Sequence, residues 1–97
     1  MVNYLTVQEL ENFVNSNRKI LIAHDLVYDI TNYFSSHPGG NCILNNIIKV
    51  ENNRIIIKQS NMDFDYHSKK SKKIWKKLLI GTIKKPSRFQ KLLNLLF

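Results

Sequence analysis

The feature that most constrains the fold of this chain is the run His37-Pro38-Gly39-Gly40. Proline disfavours the α region for the residue before it, so we expect an extended backbone at His37. Gly39 and Gly40 have no side chain, so the backbone can turn sharply there and let a flat ligand come close. By itself the run is equally typical of an ordinary turn, and its meaning depends on the rest of the chain.

Length and composition predict one small intracellular domain. The chain has 97 residues and a hydrophobic fraction of 43%, which is ordinary for a globular protein. The single cysteine, Cys42, cannot form an internal disulfide, which fits a reducing compartment. No signal peptide is recognisable after Met1, and no stretch reaches the roughly 20 apolar residues of a membrane-spanning helix. We therefore expect a cytoplasmic, monomeric protein.

The positive charge is concentrated in the second half of the chain. The formal net charge is +8, and ten of the fifteen basic residues lie between Lys69 and Lys91. Such a cluster is typical either of binding to nucleic acid or an anionic membrane, or of a solvated helix face. The lysines fall where a helix would face water, which favours the solvated face. We therefore expect no nucleic-acid partner.

A second signal lies thirty residues after the first, at His67-Ser68. Serine is a favoured helix N-cap, and Ile74, Trp75, Leu78 and Leu79 follow with helical periodicity. We predict a helix over 69–80 that ends near Gly81, since glycine is common just after a helix. In the first part of the chain we predict a helix opened by a capping box at Thr6 and Glu9, followed by strands over 19–23 and 26–30 that are joined by a turn at His24-Asp25. In the middle of the chain we predict a helix over 41–48 and then a hairpin, which turns at Asn52-Asn53 before a strand over 54–58.

The two histidines precede two predicted helices, each with an apolar face. Two such units can form the walls of a slot with one imidazole on each side, and a planar apolar ligand with a central metal would fit it. Imidazole suits iron, and two axial histidines can hold haem iron. A zinc site built from His24, His37, Cys42 and His67 has suitable residue types, but the spacing matches no zinc-finger pattern. We read His24 as a surface residue.

These motifs, in this order, resemble the cytochrome b5 family. The run Val27-Tyr28-Asp29-Ile30-Thr31-Asn32-Tyr33-Phe34 stands before the His-Pro-Gly-Gly sequence, as in that family. The second half, His67-Ser68, then Trp75, then Leu79-Ile80-Gly81, is similar to the family's second motif and its ending. The opening Tyr4-Leu5-Thr6 with Glu9 also resembles the family's start. The resemblance covers residues 4 to 83.

The resemblance implies an α+β fold in which a small mixed sheet lies beneath a helical haem crevice. It implies one non-covalently held haem b (iron protoporphyrin IX) with His37 and His67 as axial ligands, and it places Ser68 near a propionate. The expected pocket positions are Ile30, Tyr33, Pro38, Gly39, Gly40, Ile43, Leu44, Phe64, Ser68, Trp75 and Leu79.

Two axial histidines leave no open iron position for oxygen or substrate, which suits electron transfer rather than catalysis. The resemblance implies a one-electron carrier between a flavin-dependent reductase and an acceptor such as a lipid desaturase or hydroxylase. One alternative is a module that binds haem or another small ligand without passing electrons. Another is a basic nucleic-acid-binding domain, which would leave both histidine motifs unexplained.

The chain departs from the familiar members in the segment between the histidines. An extra hairpin replaces the usual sequence there, so the family pattern does not identify the residue that closes the pocket wall next to His67. Phe64 is our choice, with Met62 second. Met62 as an axial ligand in place of His67 is a further alternative, because a thioether can bind haem iron.

The lysines and the tail are further departures. Familiar members present carboxylates around the haem edge, whereas this chain is basic. We therefore expect partners with acidic docking surfaces, or an anionic membrane surface. We assign residues 1–86 to the haem-binding domain and 87–97 to an amphipathic tail, which packs on the domain, lies on an intracellular membrane, or begins a longer anchor.

Overall fold

The computed structural model describes residues 3–33, 46–66 and 68–85. The elements in chain order are α1 (Val7–Asn15), β1 (Ile20–Ala23), β2 (Leu26–Asp29), β3 (Lys49–Glu51), β4 (Arg54–Ile56), α2 (Asn61–Tyr66), α3 (Lys69–Leu78) and β5 (Leu79–Thr82). The predicted α+β class is confirmed. The predicted helix over 41–48 falls mostly outside the described residues, as does the predicted tail.

The central sheet is built from β1, β2 and β5, in that order, with antiparallel neighbours. The β1–β2 turn places His24 and Asp25 at φ values of 49° and 63°. Two consecutive positive φ values fit a type I′ turn, whose twist matches that of the strands. Isolated parallel bridges join Tyr4 to Thr82 and Ile22 to Gln59, and they give the described sheet region its mixed character.

Strand β1 is buried on both faces, so the sheet separates two apolar clusters. Because side chains alternate along a strand, Ile20 and Ile22 face one cluster while Leu21 and Ala23 face the other. The first cluster contains Leu5, Leu10, Ile20, Ile22, Val27 and Ile48. The second, which we call the Trp75 cluster, contains Leu21, Ala23, Tyr28, Ile30 and Trp75.

Helix α1 begins with the predicted capping box. The Thr6 hydroxyl accepts a hydrogen bond from the Glu9 backbone N–H at 3.2 Å, and the Thr6 N–H donates to Glu9 Oε1 at 3.2 Å. Leu10 is fully buried against the sheet. The predicted start of this helix is therefore confirmed.

The hairpin between the positions of the two predicted ligands is also confirmed. Asn52 and Asn53 have φ values of 51° and 62°, and β3 pairs with β4 as an antiparallel ribbon. The second strand ends at Ile56, two residues earlier than predicted. Residues 46–48 are not helical, and the Ile48 N–H instead donates to the Ile20 carbonyl at 2.9 Å.

The prediction for the end of α3 is wrong. The helix ends at Leu78, and Leu79–Thr82 form strand β5, so Gly81 does not terminate a helix. It pairs with Val27 in the sheet, and a Cβ at position 81 would lie 2.6 Å from Leu5 Cγ and 2.7 Å from the Asn3 carbonyl oxygen. The free edge of β2 offers backbone hydrogen-bond partners, which would stay unused if the helix continued past Leu78. Because Gly81 has no side chain, the segment that contains Asn3 and Leu5 can pack closely against β5.

Helix α2 was not predicted, since the sequence there indicated only the end of the hairpin and a lead into His67. It is six residues long, and the Phe64 N–H donates to the Ser60 carbonyl at 3.1 Å. A helix this short is marginal alone and depends on tertiary contacts. Those contacts come from the β1–β2 turn.

Candidate functional site

Four of the expected pocket residues lie together on one face of the sheet. Ile30 and Trp75 are buried members of the Trp75 cluster, and Phe64 and Leu79 pack against it. Ile30 directly follows β2, and the other three residues come from α2, α3 and β5, so the fold brings together positions that are up to 49 residues apart in sequence.

Three aromatic rings give the cluster its shape. The ring of Trp75 meets Tyr28 edge-on at a centroid distance of 4.9 Å and Phe64 edge-on at 5.1 Å. Tyr28 and Phe64 stack at 6.1 Å with an interplanar angle of 25°. Edge-to-face pairs at these distances are favourable beyond the area that they bury. Burial also raises the pKa of the Tyr28 hydroxyl, which therefore stays neutral at physiological pH.

The remaining described pocket positions lie at the margins. The Tyr33 N–H donates to the Ile30 carbonyl at 3.0 Å, just after β2. Ser68 caps α3, where its hydroxyl accepts from the Ser71 N–H at 3.2 Å, as predicted. The expected ligands and the other pocket positions, His37, Pro38, Gly39, Gly40, Ile43, Leu44 and His67, lie outside the described residues. Their assignment stays a prediction.

The described wall suits a large apolar ligand. Its core is aliphatic and aromatic, and no buried side-chain nitrogen or oxygen in the described residues lacks a hydrogen-bond partner. Of the two candidates for closing this wall, Phe64 packs into the cluster while Met62 is 85% exposed. The geometry therefore favours Phe64, and the residues present fit the porphyrin that the sequence predicts.

His24 takes part in a network that sequence reasoning missed. It is a surface residue, as expected, with its side chain 45% exposed. However, its Nε2 lies 2.7 Å from Asp65 Oδ1, and its backbone N–H donates to Asn61 Oδ1 at 2.6 Å. Asn61 and Asp65 are four residues apart on α2 and so share a face of that helix. The i, i+4 spacing of Asn61 and Asp65 is the sequence signal for this contact, and it becomes readable only once α2 is known to be a helix.

A second pair of hydrogen bonds reinforces this attachment. The Asp25 N–H donates to Gln59 Oε1 at 2.8 Å, and Gln59 Nε2 donates to Asp25 Oδ1 at 2.6 Å. The β1–β2 turn thus holds both Gln59, just before α2, and α2 itself. Because α2 ends at Tyr66, this network positions the residues that come directly before His67 in the sequence.

The far end of β2 is held by an ion pair. Arg18 Nη2 lies 2.7 Å from Asp29 Oδ2, and the Thr31 hydroxyl and N–H donate to Asp29 Oδ1. Burial by itself raises the pKa of the Asp29 carboxyl. The hydrogen bonds from Thr31 and Arg18 and the Arg18 charge outweigh it, so the pKa lies below its usual value. The network fixes the backbone just before Tyr33.

Residues 3–33, 46–66 and 68–85 contain neither a membrane-spanning helix nor a cluster of metal-binding side chains. None of their helices combines the length and the apolar character needed to cross a bilayer. None of their groups of histidine, cysteine and acidic side chains brings three members together for a metal ion. Three members of the alternative zinc set lie outside this part of the chain.

Comparison with known proteins agrees with this architecture. The sequence profile of the "Cytochrome b5-like Heme/Steroid binding domain" matches residues 6–84. Cytochrome b5 of Sus scrofa and that of Bos taurus are each 42% identical over 43 residues, which is 44% of this chain and 32% of either relative. Cytochrome B5 isoform C of Arabidopsis thaliana is 28% identical over 85 residues, 86% of this chain and 58% of the relative. The chain therefore belongs to the cytochrome b5-like heme/steroid binding domain family.

Proposed function

We propose that this domain is a one-electron carrier that holds haem b non-covalently, with His37 and His67 as the axial ligands. The observation that carries the proposal is the convergence of Ile30, Phe64 and Trp75 into one apolar wall within a domain of this family. Haem, when bound, supplies reversible exchange of one electron at its iron. The family also includes steroid-binding modules, so the histidine pair is the feature that favours electron transfer.

The protein's own residues have three tasks in this proposal. His37 and His67 would supply two imidazole ligands to the haem iron, which would leave no coordination position for oxygen or for a hydrolytic substrate. The Trp75 cluster excludes water from one wall. The hydrogen bonds from the His24 backbone N–H to Asn61 and between Asp25 and Gln59, none of which uses the His24 side chain, hold the residues before His67 in place.

The partners belong to the same proposal. A flavin-dependent reductase would supply the electron and a desaturase or hydroxylase would accept it, and each would present an acidic surface to this basic domain. An intracellular, cytoplasmic setting, with the tail on an anionic membrane, is compatible with this arrangement. The exposed lysines of α3 support acidic partners, because complementary charge raises the encounter rate.

Visible absorption spectroscopy tests the haem site. The purified chain, oxidised and then reduced with dithionite, is expected to give a six-coordinate low-spin haem spectrum. His37→Ala and His67→Ala should each abolish it or convert it to a high-spin form. His24→Ala, which removes the third histidine, is the matched control and should keep the low-spin spectrum.

The outcomes separate the alternatives. A chain that takes up no added haemin contradicts the proposal. Haem that binds with a low-spin spectrum but is not reduced by any flavin-dependent reductase or by dithionite favours a binding module. A spectrum unchanged in His67→Ala and lost in Met62→Ala would assign the second ligand to Met62.

A further inference from the structure

Helix α3 forms a groove with β2 and α2 that shares Phe64 and Leu79 with the expected haem pocket. Its floor is apolar and consists of Leu26, Tyr28, Phe64 and Leu79. Four lysines, Lys69, Lys72, Lys73 and Lys76, also line the groove. The cavity has a volume of about 460 Å³, which is in the range of sites that accept a ligand or a partner's side chain. We call it the lysine groove.

The four lysines follow helical spacing, at i, i+3, i+4 and i+7, so they form one stripe along α3. The stripe is about 10 Å long, from a rise of 1.5 Å per residue. The same periodicity places Ile74 and Leu78 on the opposite side of the helix. The four lysines therefore lie on the side of α3 away from Ile74 and Leu78, whereas the groove floor includes Phe64, whose ring contacts Trp75.

These positive charges have no acidic counterpart in the described part of the chain. The carboxylate contacts found there join Asp29 to Arg18 and Asp65 to the His24 ring, and neither involves a groove lysine. Lys72 Nζ instead lies 5.2 Å from the centroid of the Phe64 ring, in a cation–π arrangement. The groove thus presents uncompensated positive charge directly around an apolar floor.

We propose that the lysine groove docks an acidic segment of a redox partner protein, with a large apolar side chain of that segment inserted between the lysines. The inference rests on the proposed electron-carrier function. A row of four charges matches several carboxylates along a peptide, whereas a single fatty-acid carboxylate would meet one of them. A concave floor accepts a protruding side chain, whereas a flat bilayer surface cannot follow it. The inserted side chain would lie against Phe64, which is itself part of the wall assigned to the proposed haem.

A peptide binding experiment with matched charge variants tests the inference. The probe is a short fluorescein-labelled peptide of glutamates and aspartates around one central tryptophan, and fluorescence anisotropy reports its binding to the haem-loaded chain. Lys72→Glu/Lys76→Glu reverses two charges at the groove, and Lys70→Glu/Lys77→Glu reverses two on the same helix outside it. We expect the groove variant to weaken binding at least about tenfold and the control variant less than about threefold. A probe with serine in place of tryptophan should also bind at least about tenfold more weakly.

Several results would overturn the inference. Equal weakening in the two variants would mean that only the net charge matters, and equal binding of the serine probe would remove the role of the floor. Binding to phosphatidylserine vesicles with no binding of the peptide would assign the lysines to a membrane. Loss of haemin uptake in the groove variant would make the lysines part of the haem site.

The absorption spectrum of each sample separates this inference from the proposed function. A normal low-spin spectrum with no peptide binding overturns the docking site and leaves the electron carrier intact. Groove-dependent peptide binding by a chain that takes up no haem supports the docking site and removes the electron carrier.

Discussion

At the scale of single residues, Asp29 couples the fold to pH. Its carboxylate is mostly buried and accepts hydrogen bonds from Arg18 and Thr31, and its pKa in the folded state lies below the unfolded value. A carboxyl with a depressed pKa contributes stability that is present above its unfolded pKa, about 3.9, and is lost as pH falls through the folded pKa.

We therefore expect Asp29→Asn to lower the free energy of unfolding at pH 7 by about 1–2 kcal/mol, since Arg18 is partly exposed and its charge is partly screened. Below pH 4 the difference in the free energy of unfolding between the variant and the parent should shrink. Urea unfolding followed by circular dichroism at several pH values measures the loss at pH 7 and its decrease at low pH. Asp65→Asn, at an exposed carboxylate, is the control and should change stability by less than about 0.5 kcal/mol. A deficit that is constant from pH 7 to pH 3 would show that the charge of Asp29 is not the cause.

Gly81 is constrained by space rather than by backbone conformation. A methyl group there would meet Leu5 and the Asn3 carbonyl at distances below 3 Å. We expect Gly81→Ala to cost about 1–3 kcal/mol in thermal or urea unfolding, because Leu5 is buried and the carbonyl belongs to the backbone. The double variant Leu5→Ala/Gly81→Ala should lose less than the sum of the two single losses. An unchanged free energy of unfolding in Gly81→Ala would contradict the close packing of Gly81 against Leu5 and the Asn3 carbonyl.

At the scale of elements, α1 and α3 differ in how their first turns are capped. In α1 both halves of the capping box are present, whereas in α3 Ser68 caps the helix and position N3 is Ser71, which supplies no reciprocal carboxylate. The first turn of α3 also contains Lys69 and Lys70 and no acidic residue, so its charges oppose the helix dipole.

Ser71→Glu should therefore stabilise the haem-free chain by about 0.5–1 kcal/mol, since it completes the box and places a negative charge at the helix N-terminus. Ser71→Gln separates the two effects, because it keeps the hydrogen bond without the charge. Chemical unfolding at low and high salt measures both variants. A gain for Ser71→Glu that persists unchanged at high salt, and is matched by Ser71→Gln, would assign the effect to the hydrogen bond alone.

Elements with local signals were predictable from the sequence, and elements defined by tertiary contacts were not. Thr6 and Ser68 are caps, and Asn52-Asn53 is a turn, because each makes its hydrogen bonds or its φ angles within a few residues. Leu79–Thr82 continues the helical periodicity of α3, yet it forms a strand because β2, fifty residues earlier, offers an edge. Helix α2 likewise depends on His24 and Asp25.

The candidate site shows the same division. Ile30, Phe64, Trp75 and Leu79 were predicted from the order of motifs, and the fold brings them into one cluster. Tyr28 was missed as a member, since its place depends on the ring contacts with Trp75 and Phe64. The groove beside α3 was missed because Leu26 and Tyr28 reach the lysines only through packing of β2 against the helix. Periodicity alone showed only that the lysines face water.

At the scale of the whole molecule, the sheet divides the protein into two cores, of which the Trp75 cluster is the one assigned to the proposed haem. A chain of this size buries a limited core, so a ligand that binds only the folded state should contribute a large part of its stability. Free haemin at a hundred times its dissociation constant adds about 2.7 kcal/mol. For a domain of this length that corresponds to a rise in melting temperature of roughly 10–20 °C.

Thermal melts followed by circular dichroism, with and without haemin, measure this rise. His24→Ala keeps both proposed ligands, so haemin should raise its melting temperature by as much as it raises that of the parent chain. This holds even if the variant without haemin melts at a different temperature from the parent. His37→Ala/His67→Ala should lose most of the rise, because the remaining apolar contacts bind the porphyrin without its iron ligands. Iron-free protoporphyrin IX, which offers the ring but no metal, should stabilise the parent about as little as haemin stabilises the double variant. The four cases are haemin with the parent, haemin with His24→Ala, haemin with the double variant, and protoporphyrin IX with the parent. An equal rise in melting temperature in all four would mean that apolar contacts alone hold the porphyrin ring, and that iron binding by the two histidines contributes nothing to the stability of the complex.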